Sequence, residues 1–238
     1  MTTRLGSLDE FCWMDVKTAD IPGTTAFFEA VLGWRSAVDE SDWRRAVKLS
    51  LDGRPVGGVS DLASPVYPPG TPPHIAFYLA VDDVDARAEV ATANGAHLVV
   101  PPFTAGDQGR IATLIDPVGA AFSLWQADAS TGWEFPAGLT GVPHRVVLPS
   151  EQPDKARHFY RDTLGVTLEC AEFAAAYGRV PQWELAVLAG DPDDLASRVR
   201  AHGAGQAVWS TGDTGEAYLR VGTEEGLTVR CVPADRAG

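Results

Sequence analysis

Apolar and polar positions follow one pattern four times along the chain. A short run with two-residue periodicity is followed by a run with helical periodicity that closes near glycine. The first copy is FCWMDVKTA (11–19) and then DIPGTTAFFEAVLG (20–33). Phe27 with Val31, and Phe28 with Leu32, form apolar pairs four residues apart. Pro22 suits a first helical turn and Gly33 a C-terminal cap. The second copy is HIAFYLAV (74–81) and DDVDARAEVATANG (82–95), with Val84, Ala88 and Ala91 on one stripe. The third is VPHRVVLPS (142–150) and EQPDKARHFYRDTLG (151–165). The fourth is WELAVLAG (183–190) and DPDDLASRVRAHG (191–203).

The copies are related by constant offsets. Phe27/Phe159, Leu32/Leu164 and Gly33/Gly165 are each 132 apart; Asp83/Asp191, Asp85/Asp193 and Gly95/Gly203 are each 108 apart. Such internal repetition is the strongest organisational signal a single sequence offers. Further strand-like segments follow the helices, and Asp116–Gly119 (DPVG) reads as a hairpin turn. Each copy therefore reads β-α-β-β-β. Two copies make a first domain, 1–128, and two make a second, 141–238, joined by a Gly- and Pro-rich linker at 129–140. Only Val166–Pro181 separates the third helix from the next strand, so the third copy is expected to have lost or shrunk a strand.

Composition narrows the function classes. The chain has 238 residues, 19 Lys+Arg against 32 Asp+Glu, and a formal charge of −13. A nucleic-acid partner needs a basic face, and an anionic membrane surface would repel this chain. Hydrophobic residues make up 45%, enough for a packed core. Cys12, Cys170 and Cys231 are odd in number and widely spaced, which suits a reducing cytoplasm rather than a disulfide framework. No N-terminal apolar stretch reads as a signal peptide, and no run approaches the roughly 18 residues of a membrane span.

The FF-x-x-x-LGW opening, the VDDVDA turn into the second helix and the DPVGAAFSLWQ close resemble the vicinal oxygen chelate superfamily. It includes glyoxalases, bleomycin-resistance proteins and extradiol dioxygenases. The resemblance covers nearly the whole chain, most strongly 11–126. It implies an α+β fold in which tandem βαβββ modules form two cup-shaped mixed β-sheets, here with the second reduced. Fold alone does not assign an activity. In metal-using members, His and carboxylate ligands come from the first and last strands of each module. Counting to those positions gives Phe11, Ala76 and Ser123 in the first cup, and Pro143, Glu184 and Arg230 in the second. The expectation is no metal and no cofactor, with Glu184, Arg230 and Arg145 forming a structural charge group.

Strand alternation then places Phe11, Trp13 and Asp15, Ala76 and Tyr78, and Ser123 and Trp125 on the inner wall of the first cup. Phe11, Trp13, Tyr78, Ser123 and Trp125 are the candidate ligand-binding residues; an aromatic wall with few polar groups suits an organic ligand, although the same rings would serve as cup core. Asp15 and His74 are the candidate catalytic residues. The blander readings are a mouth carboxylate paired with Arg44, Arg45 or Arg110, and a rim histidine after the Pro-rich loop 64–73. The leading reading is a metal-free protein, monomer or homodimer, that binds an aromatic or polycyclic small molecule in resistance or natural-product tailoring. The alternative is an enzyme of the same family, a lyase, isomerase or oxygenase; a regulatory module is a third.

Overall fold

A computed structural model describes residues 4–40, 45–128, 132–136, 138–212 and 215–234. The first eight strands are β1 (Phe11–Thr18), β2 (Arg35–Val38), β3 (Val47–Leu51), β4 (Arg54–Asp61), β5 (His74–Ala80), β6 (His97–Thr104), β7 (Gly109–Ile115) and β8 (Ala121–Ala127). They make one sheet in the order β2-β3-β4-β1-β5-β8-β7-β6. The second sheet holds β9 (Pro143–Ser150), β10 (Ala171–Ala175), β11 (Glu184–Ala189), β12 (Gln206–Thr211), β13 (Ala217–Gly222) and β14 (Thr228–Pro233), in the order β10-β9-β11-β14-β13-β12. The helices are α1 (Ile21–Leu32), α2 (Val84–Ala93), α3 (Pro153–His158), continued by a π-helical turn at Phe159–Thr163, and α4 (Pro192–His202). None of the helices described is long and apolar enough to cross a membrane.

In each repeat the first and last strands pair in parallel: β1 with β4, β5 with β8, β9 with β10, and β11 with β14. A helix connects strands of one sheet in this way because parallel neighbours need a crossover. The third repeat keeps only β9, its helix and β10, so it has lost two strands rather than one. Its sixteen-residue span, Val166–Pro181, has room for the parallel return strand but not for a hairpin before it.

The helix ends follow the sequence signals. The Asp20 side chain accepts from Gly23 N and caps α1, and Gly33 ends it at φ 76°, where a Cβ would be strained. Asp83 caps α2 and Asp191 caps α4 in the same way. Phe27, Phe28, Val31 and Leu32 of α1, and Val84, Ala88 and Ala91 of α2, are all buried.

By contact density the chain divides into two compact units, each of which takes one repeat from either half of the sequence. One comprises 1–13, 76–134 and 145–184, the other 14–75, 135–144 and 185–238. In the second unit, α1 packs on α4, with the Phe27 ring edge-on to His202 at 5.6 Å. Glu225 ties the unit together from a turn 200 residues on, accepting from Ala19 N at 3.3 Å and from the Thr18 hydroxyl. In the first unit, Phe122 stacks edge-on against Phe159 and Tyr160. Trp183 Nε1 donates to Tyr160 Oη at 3.1 Å, and Tyr160 donates to Asp116 Oδ2 at 3.0 Å. The other Asp116 oxygen accepts from Val118 N and Ala120 N, which makes DPVG a hairpin turn clamped by its own aspartate. Burial raises the Asp116 carboxyl above its ordinary range.

Glu10 is a second buried carboxyl in this unit. It accepts from Cys170 N at 3.2 Å and from Glu169 N, and so binds the loop after the π-helical turn to the start of β1. Desolvation pushes it up to about 7, against the opposing effect of those two amide donors.

Candidate functional site

In the second unit the site grows from β1. Asp15 pairs with Gly58 of β4 and Lys17 with Ser60, so all four lie on one face of the sheet. The opposite parity faces α1: Val16 is buried, and the Thr18 hydroxyl lies 2.8 Å from that of Thr24. Two residues apart on a strand, Asp15 and Lys17 form an ion pair whose side chains are only 14% and 11% exposed. Lys17 Nζ also donates to Tyr67 Oη at 2.8 Å and to Ser60 Oγ at 3.3 Å, while Ser60 donates to Asp15 Oδ2 at 2.7 Å. Asp15 Oδ1 is buried without a hydrogen-bond partner among the described residues. It fits because position 58 is glycine: a Cβ there would lie 2.8 Å from it.

Asp15 therefore has a lysine partner, not an arginine. Arg45 pairs with Glu40 and Arg110 with Asp85, and Arg44 lies outside the described residues. Lys17, Ser60 and Tyr67 were not singled out from sequence. Lys17 could have been, because strand parity already put an opposite charge two residues from Asp15 on the same face. His74 is half-buried, with Nδ1 2.8 Å from the Pro72 carbonyl of its own loop.

The first unit carries the aromatic candidates. Tyr78 is in register with Ser123, and Ala80 with Trp125, so these side chains share a face. The Tyr78 and Trp125 rings meet edge-on at 6.3 Å and 86°, and both stay half-buried, as does Trp13. Ser123 is buried, and its hydroxyl lies 2.9 Å from that of Thr113 on β7.

Phe11 departs from the expected wall. It is fully buried, with its ring 4.7 Å from Trp183 and 6.1 Å from Phe77. Phe77 belongs to the β5 parity opposite to Tyr78. The Phe11 ring therefore lies with the side of β5 opposite to Tyr78. The Phe11 carbonyl accepts from Gly6 N and that of Cys12 from Trp133 N. Cys12 is buried, and desolvation pushes its thiol up to about 12, as expected for a small core residue.

Residues 13–125 match the glyoxalase-like domain family. Over 240 residues the chain is 28% identical to the anthracycline biosynthesis protein DnrV of Streptomyces peucetius, covering 94% of this chain and 84% of that protein. It is 33% identical over 165 residues to CFP32 of Mycobacterium tuberculosis, which carries a provisional glyoxylase name; the match takes in 68% of this chain and spans 62% of that relative's length. Among solved structures, the Mn(II)-bound glyoxalase from Novosphingobium aromaticivorans superposes with a TM-score of 0.65 at 17% identity, over 98% of this chain and 83% of that one. A trihydroxybiphenyl dioxygenase from Sphingomonas wittichii gives 0.63 at 15%, over 95% and 91%.

Residues 13–125 belong to the glyoxalase-like domain family, and the chain shares the fold of the vicinal oxygen chelate superfamily.

The metal that gives the superfamily its name finds no fitting donors at the expected positions. Phe11 offers a buried hydrocarbon ring, Ala76 a methyl group, and Ser123 a hydroxyl engaged with Thr113. A divalent cation in an oxygen or nitrogen site needs several convergent ligands. Among the described residues no three His, Cys, Asp or Glu side chains converge in that way. The one carboxylate of the β1 face, Asp15, is already neutralised by the Lys17 ammonium. In the second half of the chain, Glu184 accepts from Arg179 at 2.8 Å, a partner the sequence reading did not name. Arg145 pairs with Glu172, and the Arg230 guanidinium lies over the Tyr218 ring at 4.6 Å.

Proposed function

We propose that this chain binds a small aromatic or polycyclic organic molecule, without a metal, in natural-product tailoring or resistance. The observation that carries the reading is the Asp15–Lys17 pair with Ser60 and Tyr67. A largely buried ion pair is weak as a stabilising device, because desolvation offsets most of its Coulomb energy. Met14 and Val16 are buried on the other side of the same strand, so the charged pair on this face is better accounted for by ligand recognition. In the same unit the Tyr67 ring, beside the Lys17 ammonium, supplies an aromatic face for such a ligand. Similarity to a protein named for anthracycline biosynthesis supports a polycyclic ligand class.

Native mass spectrometry of the purified chain identifies what it retains, and metal analysis is expected to find well under one divalent ion per chain. Replacing Tyr67 by alanine should weaken binding of the retained molecule roughly tenfold, the equivalent of about 1.4 kcal/mol, with the chain still folded. A stoichiometric metal, or unchanged binding in Tyr67→Ala, contradicts the reading. The second reading, a metal-free enzyme, is favoured by Asp15 Oδ1, a carboxylate oxygen without a hydrogen-bond partner that could take a proton. Loss of turnover with retained binding in Asp15→Asn would select it.

A further inference from the structure

We infer that strand β12 is a docking edge for a second copy of this chain: the two β12 strands pair antiparallel across a two-fold axis that passes at Trp209. The inference is independent of the ligand-binding reading above.

A strand at the edge of a sheet turns half of its backbone N–H and C=O groups away from the ladder, and proteins blunt such edges with proline, a bulge or a charge. One sheet ends in β2 and β6, the other in β10 and β12. On β6, Pro101 and Pro102 remove consecutive donors, and the register with β7 shifts twice. β2 opens on Arg35, and β10 carries Glu172, which pairs with Arg145. β12, QAVWST, has none of these devices. Its register with β13 runs unbroken from Gln206↔Gly222 to Thr211↔Ala217.

The contrast with β6 is internal to the chain. The offset of 108 that relates the second and fourth repeats puts Trp209 where β6 has Pro101, and Ser210 where it has Pro102. The same strand of the same module is closed to pairing in one repeat and open in the other. Val208 and Trp209 are 49% and 50% exposed and point to opposite faces of the strand, so an added strand would cover apolar surface on both sides. The run Gly203–Gly212 holds no Asp, Glu, Lys or Arg. In a chain of formal charge −13, such a run lets two copies approach without carboxylates facing each other.

Symmetry limits the register. A two-fold axis perpendicular to the strand pair keeps each face on its own side, so residues of like parity face each other and the residue on the axis faces its own counterpart. With the axis at Trp209, indole lies beside indole, Val208 faces Ser210 of the other copy, and Ala207 faces its Thr211. Aromatic pairs are among the stronger cross-strand contacts, which favours this register over its neighbours. A ladder over 207–211 makes a small interface, under about 1,200 Å² in total, so the dimer is a reversible one with a dissociation constant on the order of tens of micromolar.

Sedimentation of the full chain from about 1 to about 500 μM is expected to show monomer giving way to dimer. Trp209→Lys and Trp209→Glu should each stay monomeric over that range, because the axis sets like charges opposite each other. An equal mixture of the two variants should dimerise, because opposite charges then meet at the same place. Hydrogen exchange of the wild type needs no substitution: amides within 206–211 should exchange severalfold more slowly in the concentrated sample than in the dilute one, with those of β6 unchanged. A wild type that is monomeric throughout, a dimer that survives Trp209→Lys, or exchange at 206–211 that ignores concentration overturns the inference. So does a mixture with no more dimer than its components, when both variants unfold at the wild-type temperature.

Discussion

Replacing Glu10 by glutamine should flatten the pH dependence of this protein's stability. The carboxyl is fully buried, and desolvation raises it from the ordinary 4.5 to about 7. Between those values the folded chain holds a proton that the unfolded chain has released. Stability therefore falls as pH rises from about 4.5 to about 7, and levels off above that. At 1.36 kcal/mol for each pH unit between the two values, the loss is on the order of 3 kcal/mol. Glutamine keeps a carbonyl oxygen to accept from Glu169 N or Cys170 N and carries no charge at any pH. Asp9 and Asp116 are also raised by burial and act in the same sense, so the informative quantity is the difference between the two proteins. Urea unfolding at several pH values from about 5 to about 8 measures it. The wild type should lose more stability over this range than Glu10→Gln, by an amount approaching that figure. Parallel pH profiles, or a wild type that gains stability relative to the variant as pH rises, would refute the reasoning.

Two further substitutions probe buried polar groups. Gly58→Ala places a methyl group 2.8 Å from Asp15 Oδ1, so the carboxylate must shift off Lys17 and Ser60; thermal unfolding should show a loss of about 1–3 kcal/mol, whereas Gly190→Ala, where a Cβ meets nothing within 4 Å, should cost less. Tyr160→Phe leaves Trp183 Nε1 without its acceptor and Asp116 Oδ2 without its O–H donor, and should cost about 1–3 kcal/mol in urea unfolding; a change below about 0.5 kcal/mol would mean that this chain of hydrogen bonds is not a stabilising unit.

Much of the fold was legible in the sequence. Constant offsets of 132 and 108 reveal four copies of one module, because equal modules place equal apolar residues at equal helical and strand positions. Asp20, Asp83 and Asp191 mark helix starts, and Gly33 and Gly203 mark ends, because capping is local chemistry within a few residues. The face shared by Tyr78, Ser123 and Trp125 also follows from parity. Phe11 marks the limit of that logic: its ring meets Phe77, of the β5 parity opposite to Tyr78, and Trp183 from a distant strand start, and the alternation of β1 alone names neither partner.

The sequence by itself thus determined the repeat, its secondary structure and the residue types available for chemistry, since these depend on short-range periodicity and backbone preference. The tertiary structure decided what depends on distant parts of the chain meeting. It gave Asp15 a lysine instead of an arginine, and brought Tyr67 from a loop fifty residues away onto that lysine. It buried Glu10 under backbone amides at 169 and 170, and so set the proton affinity of its carboxyl. It also joined α1 to α4, so that each compact unit draws on both halves of the chain. A charge's partner and its desolvation are properties of the space around it, and residues far apart in sequence create that space.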